Sequence, residues 1–223
     1  MYTCQVRYGR YMDLMFVDFV NSEWYDGHGR LYDRLLKPQW VRAFSRRWGL
    51  AGRRASAPEQ GPDPHPYFRP ESGPLEQKPP PARSSSRGRG IPEKLLELRE
   101  LLRRIAETVA ADREVPTHDI KRLDAFLEWA DVRHRVHKTP DGVRLETVPL
   151  VAGDEWLAGA IALSAAEFLA SGDRQRLKVC GNSGCRWVFY DDTKNRSRRW
   201  CDSNLCGNLF KVRRYRSRHR SSP

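Results

Sequence analysis

No stretch of this 223-residue sequence is apolar for long enough to cross a bilayer. The most apolar run, Trp156 to Ala166, is closed off by Glu155 and Glu167. Leu14 to Val20 is interrupted by Asp18, and no small-residue cleavage site follows it, so no secretory signal is expected. Common enzyme signatures are missing as well. There is no phosphate-binding glycine loop, no Gly-x-Ser-x-Gly and no His-Glu-x-x-His. Paired acids fall mostly on expected helix faces and need no catalytic explanation. An enzyme is therefore the weakest class for this chain. Internal repeats are absent too. Cysteine is sparse, with 5 in the chain, and Cys4 stands apart near the start as an expected free thiol.

Charge is abundant and unevenly placed. Lys and Arg number 40 against 28 Asp and Glu, a formal net charge of +12. Residues 172–223 hold 14 basic and 4 acidic side chains, whereas residues 1–171 hold 26 and 24. A nearly neutral body thus carries a strongly basic tail. Such a tail suits a polyanionic partner, nucleic acid before a membrane surface. A solvated end that aids solubility is the plainer alternative. Hydrophobic residues make up 39% of the chain, with 7 Trp. That is enough for one core and a small second module, and too much for a wholly disordered chain.

Residues 13–50 read as one packed unit. Leu14, Phe16, Val17, Phe19 and Val20 open it, Gly27 and Gly29 break it, and Pro38 suits the first turn of a helix. Trp40, Val41, Phe44 and Trp48 follow at helical spacing, with Gly49 as the expected C-terminal cap. Residues 51–92 hold ten of the 15 prolines and read as a flexible connector. Its Arg87-Gly88-Arg89-Gly90 piece is a weak RNA signal. A helix is expected over 93–111, with Leu95, Leu98, Leu102, Ile105 and Val109 as its apolar stripe and Glu100 paired to Arg104. Thr117 is the expected cap of a second helix bearing Ile120, Leu123, Phe126, Leu127 and Ala130. Arg133 to Lys138 and Val143 to Val148 flank Pro140-Asp141-Gly142 as a hairpin. His134 and His137 differ in parity, so they face opposite sides and share no metal. Asp154 is the expected cap of a third helix over 155–170, ended by Gly172.

The strongest chemical signal is Cys180-x4-Cys185-x15-Cys201-x4-Cys206. Two close cysteine pairs deliver four soft ligands at the angles zinc requires. The segment is too small and polar to hold its shape by apolar burial, and a metal supplies the missing folding free energy. Two disulfides are the alternative, disfavoured where thiols stay reduced. An iron–sulfur cluster usually has other spacings. Four thiolates leave no open position for a catalytic water. Between the pairs, Trp187, Phe189 and Tyr190 suggest a strand, Asp191 to Asn195 a turn, and Arg196 to Cys201 the return strand. Asn208 to Arg220 has no Pro or Gly and reads as a helix. Six of its last ten residues are Lys or Arg: Lys211, Arg213, Arg214, Arg216, Arg218 and Arg220. Lys211, Arg214, Tyr215 and Arg218 share one face. A helix of this kind fits the major groove of duplex DNA. Lys194, Arg196, Arg198 and Arg199 are further candidates for phosphate contacts.

These residues resemble a known family. Lys178-Val179-Cys180, Cys185-x-Trp187-x-Phe189-Tyr190-Asp191, Asn195, Arg198-Arg199-Trp200-Cys201 and Cys206-Gly207-Asn208 are similar to the CGNR zinc finger. Asp18-Phe19-Val20-Asn21, Asp33-x-Leu35 and the Pro38 to Leu50 helix are similar to the ABATE domain that usually precedes it. The resemblance implies a bacterial, often actinobacterial, transcription regulator proposed to be stress-induced, with a sensor or interaction domain joined to a DNA-binding finger. It carries the four cysteines over as zinc ligands. One position departs: the Arg of Cys-Gly-Asn-Arg is Leu209 here. Lys211 or Arg213 is the nearest substitute.

Asp18, Asn21 and Glu23 form a polar group beside an apolar segment. Such a group either belongs to a ligand pocket of the sensor domain or ties down the backbone near Gly27, and the second reading is the commoner. The expected protein is α+β. A mainly helical N-terminal domain with one hairpin spans 13–171, and a small treble-clef-like zinc finger spans 176–220. The leading expectation is a cytoplasmic, zinc-dependent regulator that binds double-stranded DNA and answers to a small-molecule or protein effector. RNA binding through stacked aromatics is the second. The third is a protein-interaction module with a purely structural finger, which a tail helix packed on the body would favour.

Overall fold

The computed structural model describes residues 14–26, 28–50 and 93–219. The expected connector 51–92, Cys4, Gly27 and Arg220 lie outside the described residues. Helix α1 (Met15–Val20) is buried along its whole length. A short antiparallel hairpin follows, β1 (Glu23–Tyr25) with β2 (Leu31–Asp33). Helix α2 (Pro38–Arg47) starts on Pro38, whose missing N–H costs nothing there. It ends as expected at Gly49, which takes φ +68°. The Leu50 N–H then bonds the Ser45 carbonyl at 2.8 Å, and the Gly49 N–H bonds that of Arg46 at 3.2 Å, a complete Schellman cap.

Helices α3 (Glu93–Ala110), α4 (Thr117–Leu127) and α5 (Gly153–Ser171) build the main core with α1. Leu95, Leu98, Leu102, Ile105 and Val109 are buried, as their spacing requires. Helix α5 is apolar around most of its circumference and accordingly sits centrally, with Leu157, Ile161, Ala165 and Phe168 buried. It crosses a 3-10 turn (Glu128–Ala130) so closely that a Cβ on Gly159 would lie 2.3 Å from the Trp129 carbonyl carbon.

Several local expectations are corrected. Thr117 is not a cap but the first helical residue. Pro116 precedes it, and its carbonyl accepts the Asp119 N–H at 2.9 Å. Asp154 likewise lies inside the first turn of α5, after Ala152 at the cap, and acts there through its charge on the helix dipole. Arg104 pairs with the buried Asp119 at 2.8 Å rather than with Glu100, because α4 brings a carboxylate that is shielded from water.

Strands β3 (Val132–Thr139) and β4 (Gly142–Pro149) form the expected hairpin across Pro140-Asp141, with Thr139 opposite Gly142. His134 meets the Thr147 hydroxyl at 3.3 Å, and His137 meets Glu146 at 2.7 Å. Strands β5 (Leu177–Val179) and β6 (Val188–Tyr190) come next, then a π-turn (Ser203–Gly207) that runs into α6 (Asn208–His219). The finger hairpin is thus β5 with β6, pairing Val179 with Val188 and Leu177 with Tyr190. Residues 196–200, expected as the return strand, form none. Asp191 accepts the Arg198 N–H at 2.9 Å and Arg196 turns at φ +51°, which draws this segment across the hairpin instead of along it. Among the described residues no helix is long and apolar enough to cross a membrane.

Candidate metal centre and nucleic-acid interface

Strand β5 delivers Cys180 and the start of β6 follows Cys185. The Cys180 N–H bonds the Trp187 carbonyl at 2.8 Å, which closes the loop between them, and Arg186 takes φ +56° at its end. Cys201 and Cys206 approach from the other side. Between them the Asp202 carboxylate accepts the N–H groups of Asn204 at 2.7 Å and Leu205 at 2.9 Å and so starts the π-turn. The four Sγ atoms lie within 4.8 Å of one another. Cys185 and Cys201 are 3.6 Å apart, Cys201 and Cys206 3.7 Å. Tetrahedral zinc with Zn–S near ~2.3 Å needs sulfurs roughly 3.8 Å apart. The donor set and its spacing fit one structural zinc, held by Cys180, Cys185, Cys201 and Cys206.

Four thiols this close share protons unevenly. The hydrogen bond between Cys180 and Cys185 pulls Cys180 well below the ordinary thiol range and pushes Cys185 above it. Cys201 is pushed up by Cys180 and Cys185, and burial pushes Cys206 up. A divalent cation removes that unevenness, because its charge stabilises four thiolates together. Zinc binding therefore releases protons.

Two polar anchors hold the frame. Asn182, 3% exposed, donates Nδ2 to Cys206 Sγ at 3.6 Å and accepts Arg213 Nη1 at 3.0 Å and the Gly184 N–H at 3.2 Å. It links the metal ligands to α6. Nothing marked it in the sequence beyond a polar residue in the tight Gly181-Asn182-Ser183-Gly184 turn. Asp191 is fully buried. Burial alone would raise its pKa, but Lys178 at 2.6 Å, the Thr193 hydroxyl and N–H, and the Arg198 N–H hold it well below the usual carboxylate range.

The expected nucleic-acid residues divide into two sets. Arg198 is half-buried, donates to the Trp200 and Cys201 carbonyls and lies over the Phe189 ring at 5.1 Å. Arg196 meets Asp173 at 3.0 Å and Gln175. Both brace the finger. Arg199 is exposed over the Trp200 ring, and Lys194 is exposed at the turn. Lys211, Arg213, Arg214, Arg216 and Arg218 lie along α6, none of whose residues is buried.

The comparisons with known proteins cover nearly all of these elements. The CGNR zinc finger profile matches residues 176–219. The ABATE profile, described as "Putative stress-induced transcription regulator", matches residues 14–172. The chain belongs to the ABATE family. No curated protein matches it significantly.

Within the ABATE part, each member of the polar group at its start has a bonded partner. Asp18 accepts Trp48 Nε1 at 2.9 Å and Arg47 at 3.1 Å, fastening the end of α2. Asn21 donates Nδ2 to the Val188 carbonyl at 2.7 Å and accepts the Val188 N–H at 2.9 Å. Glu23 lies 3.5 Å from Arg99, whose guanidinium also grips Asp33 through two 2.7 Å bonds. Asn21 thus joins the ABATE part to the CGNR finger. Arg103 does the same from α3, donating to the Val20, Glu23 and Arg186 carbonyls at 2.8, 2.9 and 2.7 Å. Burial lowers its pKa, yet an Arg stays charged. Leu177 and Val188 of the finger belong to the main core, and Trp187 packs edge-on against Trp24. Leu209, at the position of the CGNR arginine, lines a cavity of about 290 Å³ with Trp24, Tyr25 and Asp26. That side of α6 faces the ABATE part.

Proposed function

We propose that this ABATE–CGNR chain is a zinc-dependent DNA-binding transcription regulator of the cytoplasm, and that its N-terminal domain receives a ligand or a protein partner. The observation that carries the reading is α6. It is a basic helix with no buried residue, set on a metal-ordered finger that is itself fastened to the core. Arg213 is engaged with Asn182 and Phe210 with Trp200, while Lys211, Arg214, Arg216 and Arg218 are exposed and can meet a polyanion. Duplex DNA suits it better than unpaired RNA. Of the aromatics that could stack on unpaired bases, Trp187 is buried and Tyr190 packs on Phe168, which leaves Tyr215, 63% exposed on α6 and stacked on His219, as a single ring rather than a stacking platform. Because Asp18, Asn21 and Glu23 are engaged in the fold, the effector is sought elsewhere on the ABATE part.

The test is a salt titration of the zinc-loaded chain against random duplex DNA and matched single-stranded RNA. Cys201→Ser is the control. The reading expects tighter duplex binding, a steep salt slope of about 0.9 per phosphate neutralised, and loss of binding in Cys201→Ser. Preference for RNA, or duplex binding unchanged by Cys201→Ser, would sink it.

A further inference from the structure

We propose that the cleft between the first zinc loop and α6 seats one sugar–phosphate unit of a nucleic-acid backbone. The proposal rests on the nucleic-acid reading above and names a contact within it. The cleft has a volume of about 570 Å³. Asn182 and Ser183 line it on the loop side, and Phe210, Arg213, Arg214 and Ser217 on the helix side. The four helix residues stand at i, i+3, i+4 and i+7 and so form one face. That face is turned from the outward row of Lys211, Tyr215 and Arg218, with Arg214 between the two.

The lining matches a phosphodiester and its sugar. The two guanidinium groups and the Ser183 hydroxyl can donate to phosphate oxygens, while the Ser217 hydroxyl donates to the Arg214 carbonyl at 2.9 Å, and among the described residues no carboxylate lines the cleft. Phe210 is 39% exposed and backed by Trp200 at 4.8 Å, which offers an apolar surface to sugar carbons. Asn182 makes the seat a built one. Its Oδ1 holds Arg213 at 3.0 Å while its amide nitrogen faces Cys206 Sγ, so the zinc ligands position one wall of the cleft. Because the contact is to backbone, it adds affinity without reading sequence.

The experiment compares equal charge changes on two sides of one helix. Ser217→Glu puts a carboxylate into the cleft. His219→Glu puts one about 200° round the helix, at roughly 100° per residue. His219 lies nearer the outward row, roughly 75° from its centre against roughly 125° for Ser217, so a helix that bound DNA by that row alone would lose more in His219→Glu. Ser183→Glu repeats the first test from the opposite wall, and zinc content and helical signal verify that each variant folds. Ser217→Glu and Ser183→Glu are expected to weaken random-duplex binding by about tenfold or more, and His219→Glu by less than about threefold. Inorganic phosphate, against chloride at matched ionic strength, is expected to compete with duplex on the unmodified chain and less on Ser217→Glu. Equal losses in Ser217→Glu and His219→Glu would overturn the seat while leaving DNA binding intact. Phosphate competition without a duplex defect in Ser217→Glu would make it a free-phosphate site and overturn the backbone assignment. No duplex binding by the unmodified chain would instead remove the functional reading itself.

Discussion

Asn21 shows how much one side chain can hold together. Its amide completes both backbone groups of Val188, on the side of β6 away from β5, as a neighbouring strand would. Asn21 is 1% exposed and Val188 fully buried, so neither backbone group can turn to water. Asn21→Ala leaves a buried donor and a buried acceptor unpaired, at roughly 1–3 kcal/mol each. Asn21→Asp keeps an acceptor but sets a carboxylate against the Val188 carbonyl, so it is expected to be no rescue. Thermal unfolding of the zinc-loaded chain measures both; a melting temperature unchanged in Asn21→Ala would refute the account. Asp191 acts through charge. Its folded-state pKa is depressed, so its contribution is present above the ordinary Asp value of about 3.9 and is lost as pH falls through the folded value. Asp191→Asn is therefore expected to lower stability by a constant amount between about pH 7 and 5, with the gap closing below about pH 4. Melting curves across that range check the sign, and a gap that widens in acid would contradict it.

At the scale of elements, what could be read from the chain was periodicity and punctuation. The α3 stripe, the Gly49 cap and the Pro140-Asp141 turn are local devices, and the structure builds them where the pattern puts them. The four-cysteine spacing was equally legible, because zinc chemistry demands it. What escaped the reading is non-local. Pairing of β6 with β5 rather than with 196–200 depends on Asp191, Lys178 and Arg198 meeting in space. Nothing in the sequence singles out Arg103 beside the leucine stripe, yet it binds the carbonyls of Val20, Glu23 and Arg186. Helix α6 is also preceded by a π-turn, whose Cys206 a plain helix would aim elsewhere. Helix α6 has only 12 residues and is strongly basic, so it is marginal in isolation. Its order depends on the π-turn that Cys201 and Cys206 frame. In the full chain, chelation of the metal is expected to speed amide hydrogen exchange along α6, and readdition to slow it again. Exchange along α6 equally slow with and without zinc would show that the helix stands by its own propensity.

At the scale of the whole molecule, the two family segments share one core rather than being joined by a tether. Leu177 and Val188, from the finger, are packed among α1, α3 and α5 residues, while Asn21, Arg103 and the Arg186–Glu107 pair at 2.6 Å tie the zinc loop down from the ABATE side. Ligand binding to a folded state stabilises everything that unfolds with it. Zinc binding, worth on the order of 10 kcal/mol in small zinc domains, therefore acts on the ABATE core as well as on the finger. The expected outcome is one cooperative unfolding transition for the zinc-loaded chain, seen alike by tryptophan emission and by helical signal. Chelator is expected to move that whole transition down rather than melt a finger and leave α3 and α5 in place. Cys185→Ser is the sharper variant, since Cys185 lies in the loop that meets β1, where the Tyr25 N–H bonds the Cys185 carbonyl at 3.3 Å. Two separate transitions, the upper one insensitive to zinc, would mean that the shared core is not energetically coupled. A single shifted one would mean that whatever binds the ABATE part also changes the population of ordered finger. That is the linkage a regulator needs between an effector and a DNA-reading helix.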